Sequence, residues 1–409
     1  RGTLDAPLQT DTFDGDNVAP NGVEGSPDKK GKARGIVYGT ASNVDAAEWL
    51  VNEQKLIFNP ADKPCIPLCV RDGAIPLAAS TVRGSLASLE ANTPPEGGYD
   101  YYTGPEGLYI RLCNTPAYRL AFDLQEGATQ ADRTHAQIWK RIRTERCGTD
   151  PLEIDDASVT AVDALDGEEI GLFFAGGESR RDAVDKVLSS LVGLERQNLD
   201  GTWSIVRLEQ PQTGVDTPVV SLVLKEPGVA LGGSDRPLVA LEYARPGYQP
   251  NGSPPFRVNV RWGRNHTIMT SADFGGIAAP RLKDKFAIEW RVETATDTGI
   301  WDPATSTGDF PNAPIITIET GYQPGADGRT CPHAAARAAE LLAMFTALAG
   351  QPEARFVPQP GDEVLAGMVV ELVFPRHGWD AGILFRILRV SYVVEDGVAM
   401  VDVTLGLPE

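Results

Sequence analysis

The stretch from Pro360 to Glu409 limits what this chain can fold into more than any other. Met368, Val370, Leu372 and Phe374 alternate with Val369, Glu371 and Val373, the period of a strand with one face buried. Pro375, Gly378 and Asp380 break that run. Residues 383–394 are rich in branched and aromatic side chains, as strands are. Asp396-Gly397 is a hairpin signal, and beyond it Val401, Val403 and Leu405 alternate with Met400, Asp402 and Thr404. The pattern predicts a compact antiparallel β module with almost no spare chain. It contains no evident nucleophile, acid pair or metal cluster.

Shorter strand signals fill the N-terminal part: 36–38, 55–58, 66–71 and 108–112, separated by turns such as Asp72-Gly73 and a loop at 93–98. Residues 1–125 therefore read as a mainly β module behind a Gly/Pro-rich arm. The pattern then changes. His135, Ile138, Trp139 and Ile142 fall on one helix face, and Gly148 stops that helix. A second helix is predicted over 156–166. A third spans 179–192, with Ser179 as cap, Asp182 at the capping-box position, and an apolar face of Val184, Val187, Leu188 and Leu191. A hairpin turning at Asp200-Gly201 completes a small α+β domain over 126–245.

A Pro/Gly-rich crossing at 245–255 leads to a β module over 246–330. Its central strand alternates Phe256, Val258, Val260 and Trp262 with Arg257, Asn259 and Arg261, and 286–292 and 315–320 read as companion strands. Pro332 then opens an Ala-rich helix over 332–348, with Leu341, Met344, Phe345 and Leu348 on its buried face and Gly350 beyond it. With the C-terminal β module it makes a last unit, 331–409. The fold class is thus α+β, β-rich and multidomain: small antiparallel β modules around a central helix-containing domain.

A formal charge of −19 argues against nucleic acid as the main partner, because phosphate contacts need a basic surface. The short basic run Lys29, Lys30, Lys32 and Arg34 reads as an exposed loop. No apolar run approaches the roughly 20 residues a membrane helix needs. The 5 cysteines, at 65, 69, 113, 147 and 331, are odd in number and lack paired zinc-ligand spacing. They read as buried free thiols of a reducing compartment, with Cys65 and Cys69 reduced and metal-free. The Asp14–Gly25 segment lacks the ligand spacing and closing Glu of a calcium loop. His135, on an apolar helix face, reads as a packed core residue. Adjacent acids, Asp155 with Asp156 and Glu168 with Glu169, point apart in extended chain, and Tyr99, Tyr101, Tyr102 and Tyr109 read as a packed cluster ahead of a sugar site. No residue is assigned a catalytic, cofactor-binding or metal role.

The order of motifs resembles a group of bacteriophage and prophage tail proteins. It is carried by LDAPLQTDTFDG (Leu4–Gly15), GVEGSPDKKGKARGIVYGTASNV (Gly22–Val44), the VRDG turn (Val70–Gly73), VNVRWGRNHTIMTSADF (Val258–Phe274), and the Ala-rich helix followed by PGDEVLAGMVVELVFPRHGWDAGILFRILRV (Pro360–Val390). The stretch Ala33-Arg34-Gly35-Ile36 lacks the proline of the family pattern. The resemblance implies a non-enzymatic virion protein at the tail tip, a baseplate hub subunit assembled in the host bacterial cytoplasm. It implies a ring of identical copies, trimer ahead of hexamer, that meets distal tail proteins and a central spike or fibre. Val369–Phe374 and the run 385–394 are the segments expected to form core and contact. Family members generally carry a further N-terminal β domain, so a chain opening at Arg1 is expected to be processed or part of a longer polypeptide. The competing expectations are a carbohydrate-active or cell-wall-degrading tail enzyme, which needs a deep cleft with facing carboxylates, and a host-receptor-binding tail protein.

Overall fold

The strand Ile36–Asp45 is where two halves of the body meet. In the computed structural model, which describes residues 4–14, 28–223, 232–243, 253–325, 329–346, 352–374, 379–395 and 398–408, it is buried almost throughout. Its first half pairs antiparallel with Gly171–Phe174, its second half with Leu120–Gln125. The change of partner needs a bend. Gly39 supplies it at φ +65, where a Cβ would lie 1.9 Å from the Ile170 carbonyl oxygen. A bulge follows between Ala41 and Val44, with Asn43 in the left-handed region at φ 56, a conformation asparagine tolerates.

Alternation along this strand separates two cores. Val37, Ala41 and Val44 face Trp49, Ile57, Phe58, Tyr109, Ile110 and Phe122 in one cluster. Ile36 and Tyr38 face Ile138, Trp139, Val184 and Val187 in the other. The first core lies between two five-stranded sheets. One runs Gly171–Phe174, Ile36–Asp45, Leu120–Gln125, Ile66–Asp72, Ile75–Pro76; the other runs Leu50–Asn52, Ile57–Ala61, Gly107–Leu112, Gly98–Gly104, Ala78–Val82. The N-terminal arm stitches both cores, because Leu8 enters one and Phe13 the other.

The helices form where their periodicity places them. His135–Arg141 continues as a π-helical turn through Arg146 and buries His135, Ile138, Trp139 and Ile142; Gly148 follows at φ +70. Asp156–Leu165 is capped by Asp155. Arg180–Leu191 carries both hydrogen bonds of a Ser179/Asp182 capping box and ends at Val192 in the left-handed region. Gly193–Gln197 and Trp203–Arg207 pair as the expected hairpin.

The strand Arg257–Trp262 sits between Arg291–Thr296, antiparallel, and Ile315–Glu319, parallel. The helix Pro332–Thr346 covers one face of this sheet and joins Val258, Val260 and Trp262 to the helical core. The expected companion strand over 286–292 is corrected: Pro280–Phe286 is a helix opened by Pro280, and the strand starts only at Arg291. Phe286 ends that helix in a small core with Ala121 and Met269.

The C-terminal strands do not close on themselves. Val369–Phe374, Trp379–Glu395 and Val398–Pro408 form a six-stranded barrel with Ser221–Val223, Asp235–Tyr243 and Pro352–Phe356. Ser221–Val223 closes it and runs parallel to both neighbours. Inside lie Leu222, Phe356, Val370, Leu372, Phe385, Ile387, Val401, Val403 and Leu405. The architecture is β-rich α+β, with a closed barrel and parallel pairings where only antiparallel modules were expected. Pairing of 36–39 with 171–174, of 221–223 and 238–243 with the C-terminal strands, and the packing of 332–346 on 257–262 each cross an expected domain boundary. The Asp14–Gly25 loop, the 245–255 crossing, the 375–378 break, the Asp396-Gly397 turn, Leu348 and Gly350 lie wholly or partly outside the described residues.

Candidate functional site

The residues that drew attention in the sequence are occupied structurally. Asp155 caps its helix while Asp156 reaches Lys140 at 2.6 Å. Glu168 pairs with His333 at 2.9 Å and Glu169 with Arg133 at 3.0 Å, so neither acidic pair converges. Tyr102 stacks on Tyr109, and Tyr99 and Tyr109 are buried, so these rings pack a sheet. Cys65, Cys147 and Cys331 are buried; Cys69 and Cys113 are partly exposed, against the expectation that all five are buried. Burial pushes the Cys65 and Cys69 thiols up, which keeps them protonated. Among the described residues no three His, Cys, Asp or Glu side chains gather as a metal site. Arg34 leaves the expected exposed basic run: it is buried, its Nε 2.9 Å from Asn59 Oδ1, its guanidinium also on the Glu106 carbonyl.

One constellation invites a catalytic reading. His135 Nε2 lies 2.7 Å from Ser190 Oγ, and His135 Nδ1 lies 3.8 Å from Asp166 Oδ2. The residue types are those of a nucleophile, base and orienting acid. The surroundings assign it another job. Ser190 is 1% exposed, and its Oγ accepts the Gly321 N–H at 3.0 Å. Asp166 accepts the Tyr322 hydroxyl at 2.6 Å, and the Tyr322 ring meets His135 edge-on. Burial holds the His135 imidazole at about 4, so it is neutral at pH 7. The network pins helix Arg180–Leu191 to the segment after Ile315–Glu319.

That pinning shapes the most distinctive concavity. A cleft opens where three separated segments meet: the end of Ile36–Asp45 with Trp49, helix Arg180–Leu191, and the turn after Trp262. An outer lobe of about 380 Å³ is walled by Asp45, Glu48, Trp49, Arg119 and Glu178. An inner lobe of about 70 Å³ reaches Ser190, Trp290, Thr320 and Gly321. Phe173, Lys186, Arg264 and His266 border both lobes. Burial pulls the Lys186 ammonium down, and the Arg264 charge adds to it. Burial, then Arg264 and Lys186, hold His266 at about 3, and its ring lies edge-on to Phe173 at 5.3 Å. Among the described residues the cleft carries no facing pair of free carboxylates suited to acid–base chemistry: Asp45 pairs with Arg119, Glu178 accepts the Gly176 N–H and Glu319 pairs with Arg261, which leaves Glu48 alone. A groove of about 400 Å³ crosses the outer wall of the barrel, where Arg355 bonds Asp402 through two nitrogens at 2.5 and 2.9 Å.

The two strands expected to form core and contact do pair, Val370 opposite Phe385. Val370 is fully buried inside the barrel, while Tyr392, Val394 and Val398 are exposed towards the far end of the long hairpin. Nothing in the sequence marked Lys186 as a neighbour of Arg264 and His266, since it comes from a distant segment and no spacing links it to them.

No protein-family profile matches this chain, and no curated protein does. Solved structures do, 28 chains among them. The tail protein from Neisseria meningitidis MC58 superposes with a TM-score of 0.37 at 9% identity, covering 76% of this chain and 78% of that one. The 43 kDa tail protein of prophage MuSo2 from Shewanella oneidensis gives 0.36 at 13% identity, covering 75% of each. A chain of the p2 virion baseplate in its activated conformation gives 0.22 at 10% identity, over 73% of this chain and 74% of that one. These are phage tail and baseplate proteins, and TM-scores of this size fall short of a shared fold.

Proposed function

We propose that this chain is a structural subunit of a bacteriophage tail, a tail-tip or baseplate hub protein that closes into a ring, trimer ahead of hexamer. The ring links the tail tube to a central spike or fibre. The observation that carries this reading is the spread of exposed apolar side chains over separate modules. Tyr392 and Val394 are 57% and 75% exposed on the barrel hairpin. Val292 and Ile315 sit on the outer face of the three-stranded sheet, and Ile66 and Leu68 on another sheet. The edge strand Ala78–Val82 is exposed at all five positions. Ring and stack contacts cover such surfaces on several sides of a subunit, whereas an envelope-degrading enzyme concentrates its features in one cleft. The motif order from Leu4 to Val390 supports the same reading.

A density map of the tail tip tests it. This chain on the central axis, in a ring, is the expected result; the chain at the tail periphery or in the capsid refutes the hub role. Release of sugar or peptide from cell envelopes by the purified protein would refute the structural reading itself. Loss of the protein is expected to stop tail assembly; intact particles that fail to adsorb would make it a receptor-binding protein instead.

A further inference from the structure

We propose that the inner end of the cleft is a carboxylate-binding site, with the anion seated among the Lys186 ammonium, the Arg264 guanidinium and the His266 ring. The site stands independently of the tail reading.

Two cationic side chains, Lys186 and Arg264, and the neutral His266 ring border the place where the two lobes join. Grouping partly desolvated bases is costly unless an anion lies among them. Glu319 lines the inner lobe and Glu178 the outer one, but neither forms an ion pair with Lys186. Among the described residues no carboxylate comes within ion-pair distance of Lys186; its Nζ lies 5.0 Å over the Phe174 ring. Glu178 and Glu319, the acids whose charge reaches it, are committed elsewhere, Glu178 to the Gly176 N–H at 3.0 Å and Glu319 to Arg261 at 2.8 Å. Arg264 is held on one side by Glu289 at 3.1 Å and lies 5.2 Å over Trp290. Its Nε is buried with no acceptor among the described residues.

The surroundings select the class of anion. Asp45, Glu48 and Glu178 line the outer lobe with Arg119, which is paired with Asp45, so a dianion entering past them meets a wall of net negative charge. A carboxylate carries one charge, and its planar pair of oxygens suits a guanidinium. The inner lobe admits a group of that size, and the outer lobe leaves room for whatever bears it. Two sources share this chemistry: a small free carboxylate, and a Glu or Asp side chain on a segment of a partner protein.

The full chain contains 4 histidines, so a ring-carbon NMR spectrum of ¹³C-histidine-labelled protein has few signals. It is titrated with acetate, with the peptide acetyl-Gly-Glu-Gly-amide, and with inorganic phosphate. Acetate and the peptide are expected to move the His266 signal saturably and raise its apparent pKa, while the sealed His135 stays in place. Lys186→Met is expected to weaken the response about tenfold, the loss of one charge-assisted contact. Arg264→Gln serves the same purpose if Lys186→Met does not fold. A peptide that binds more tightly than acetate identifies a partner segment; equal binding identifies a free carboxylate. A His266 signal unmoved by acetate and peptide, a tighter response to phosphate, or an unchanged response in both variants overturns the proposal.

Discussion

Moderate acid should destabilise this protein well before its carboxylates titrate, and two histidines, one buried and one partly buried, set the size of the effect. An imidazole has an ordinary value of 6.5; burial holds His135 at about 4 and His266 at about 3. Below pH 6.5 the unfolded chain takes up a proton at each ring and the folded chain does not. Unfolding is therefore favoured as pH falls, at about 1.4 kcal/mol per pH unit per histidine once well below 6.5, until the folded rings titrate near 4 and 3. For fully buried His135 the loss between pH 7 and pH 5 comes to about 2 kcal/mol. His266 borders an open cleft, so solvent screening reduces its share to about 1 kcal/mol. Together they remove about 3 kcal/mol from a stability of roughly 5–15 kcal/mol. Asp132, Asp182 and Asp273, held low chiefly by backbone N–H donors, act in a separate window: their contribution is complete above the ordinary value of 3.8 and is lost only below it. Urea unfolding at pH 7 and pH 5, followed by fluorescence of buried tryptophans such as Trp139 and Trp262, reads the difference. With a slope near 3 kcal/mol per M, the midpoint should fall by about 1 M. His266→Gln should remove about a third of the shift. A midpoint unchanged between pH 7 and pH 5, or a His135 ring that titrates near 6.5 by NMR, would refute the reasoning.

Three further outcomes are expected. Val370→Asp places a carboxylate inside the barrel and should cost more than about 4 kcal/mol, leaving no folded monomer by circular dichroism, whereas Val394→Asp should change monomer stability by less than about 0.5 kcal/mol while weakening self-association in light scattering. A stable Val370→Asp monomer would mean that the barrel does not close. Gly39→Ala, which meets the Ile170 carbonyl at a left-handed position, should cost about 2 kcal/mol or more in a thermal melt; a neutral result would show that the strand does not bend there. Ser179→Ala breaks the capping box and should cost about 1 kcal/mol, and a Ser179→Asn variant that fails to recover most of it would count against a capping role.

What could be read in advance follows the range of the forces involved. Strand Arg257–Trp262, helix Arg180–Leu191 and the hairpin at Asp200-Gly201 are specified by near neighbours, and they lie where periodicity and turn residues put them. The barrel is different. Ser221–Val223 is three residues long, too short for any period, and its partner Glu371–Val373 lies about 150 residues on. Nothing local announces that pairing. The segment 286–292 misled for the opposite reason: Phe286, Ile288, Trp290 and Val292 alternate as a strand would, yet Pro280 starts a helix whose last residue is Phe286. The cleft was invisible because its walls come from segments far apart in the sequence, each carrying only one or two of its charged residues. Lys186 reads as an ordinary solvated position on helix Arg180–Leu191 until the turn after Trp262 is brought against it.

The double-sided strand Ile36–Asp45 has a mechanical consequence. Ile36 and Tyr38 are anchored in one core and Val37 in the other, and the arm repeats this with Leu8 and Phe13. Neither core can loosen without dragging the shared strand out of its neighbour, so the β sandwich and the helical block should yield as one unit. A pull applied at the arm is divided between two cores at once, like a seam sewn through both layers of cloth. Among the described residues the barrel shares no buried cluster with either core, so it is the part expected to give way first.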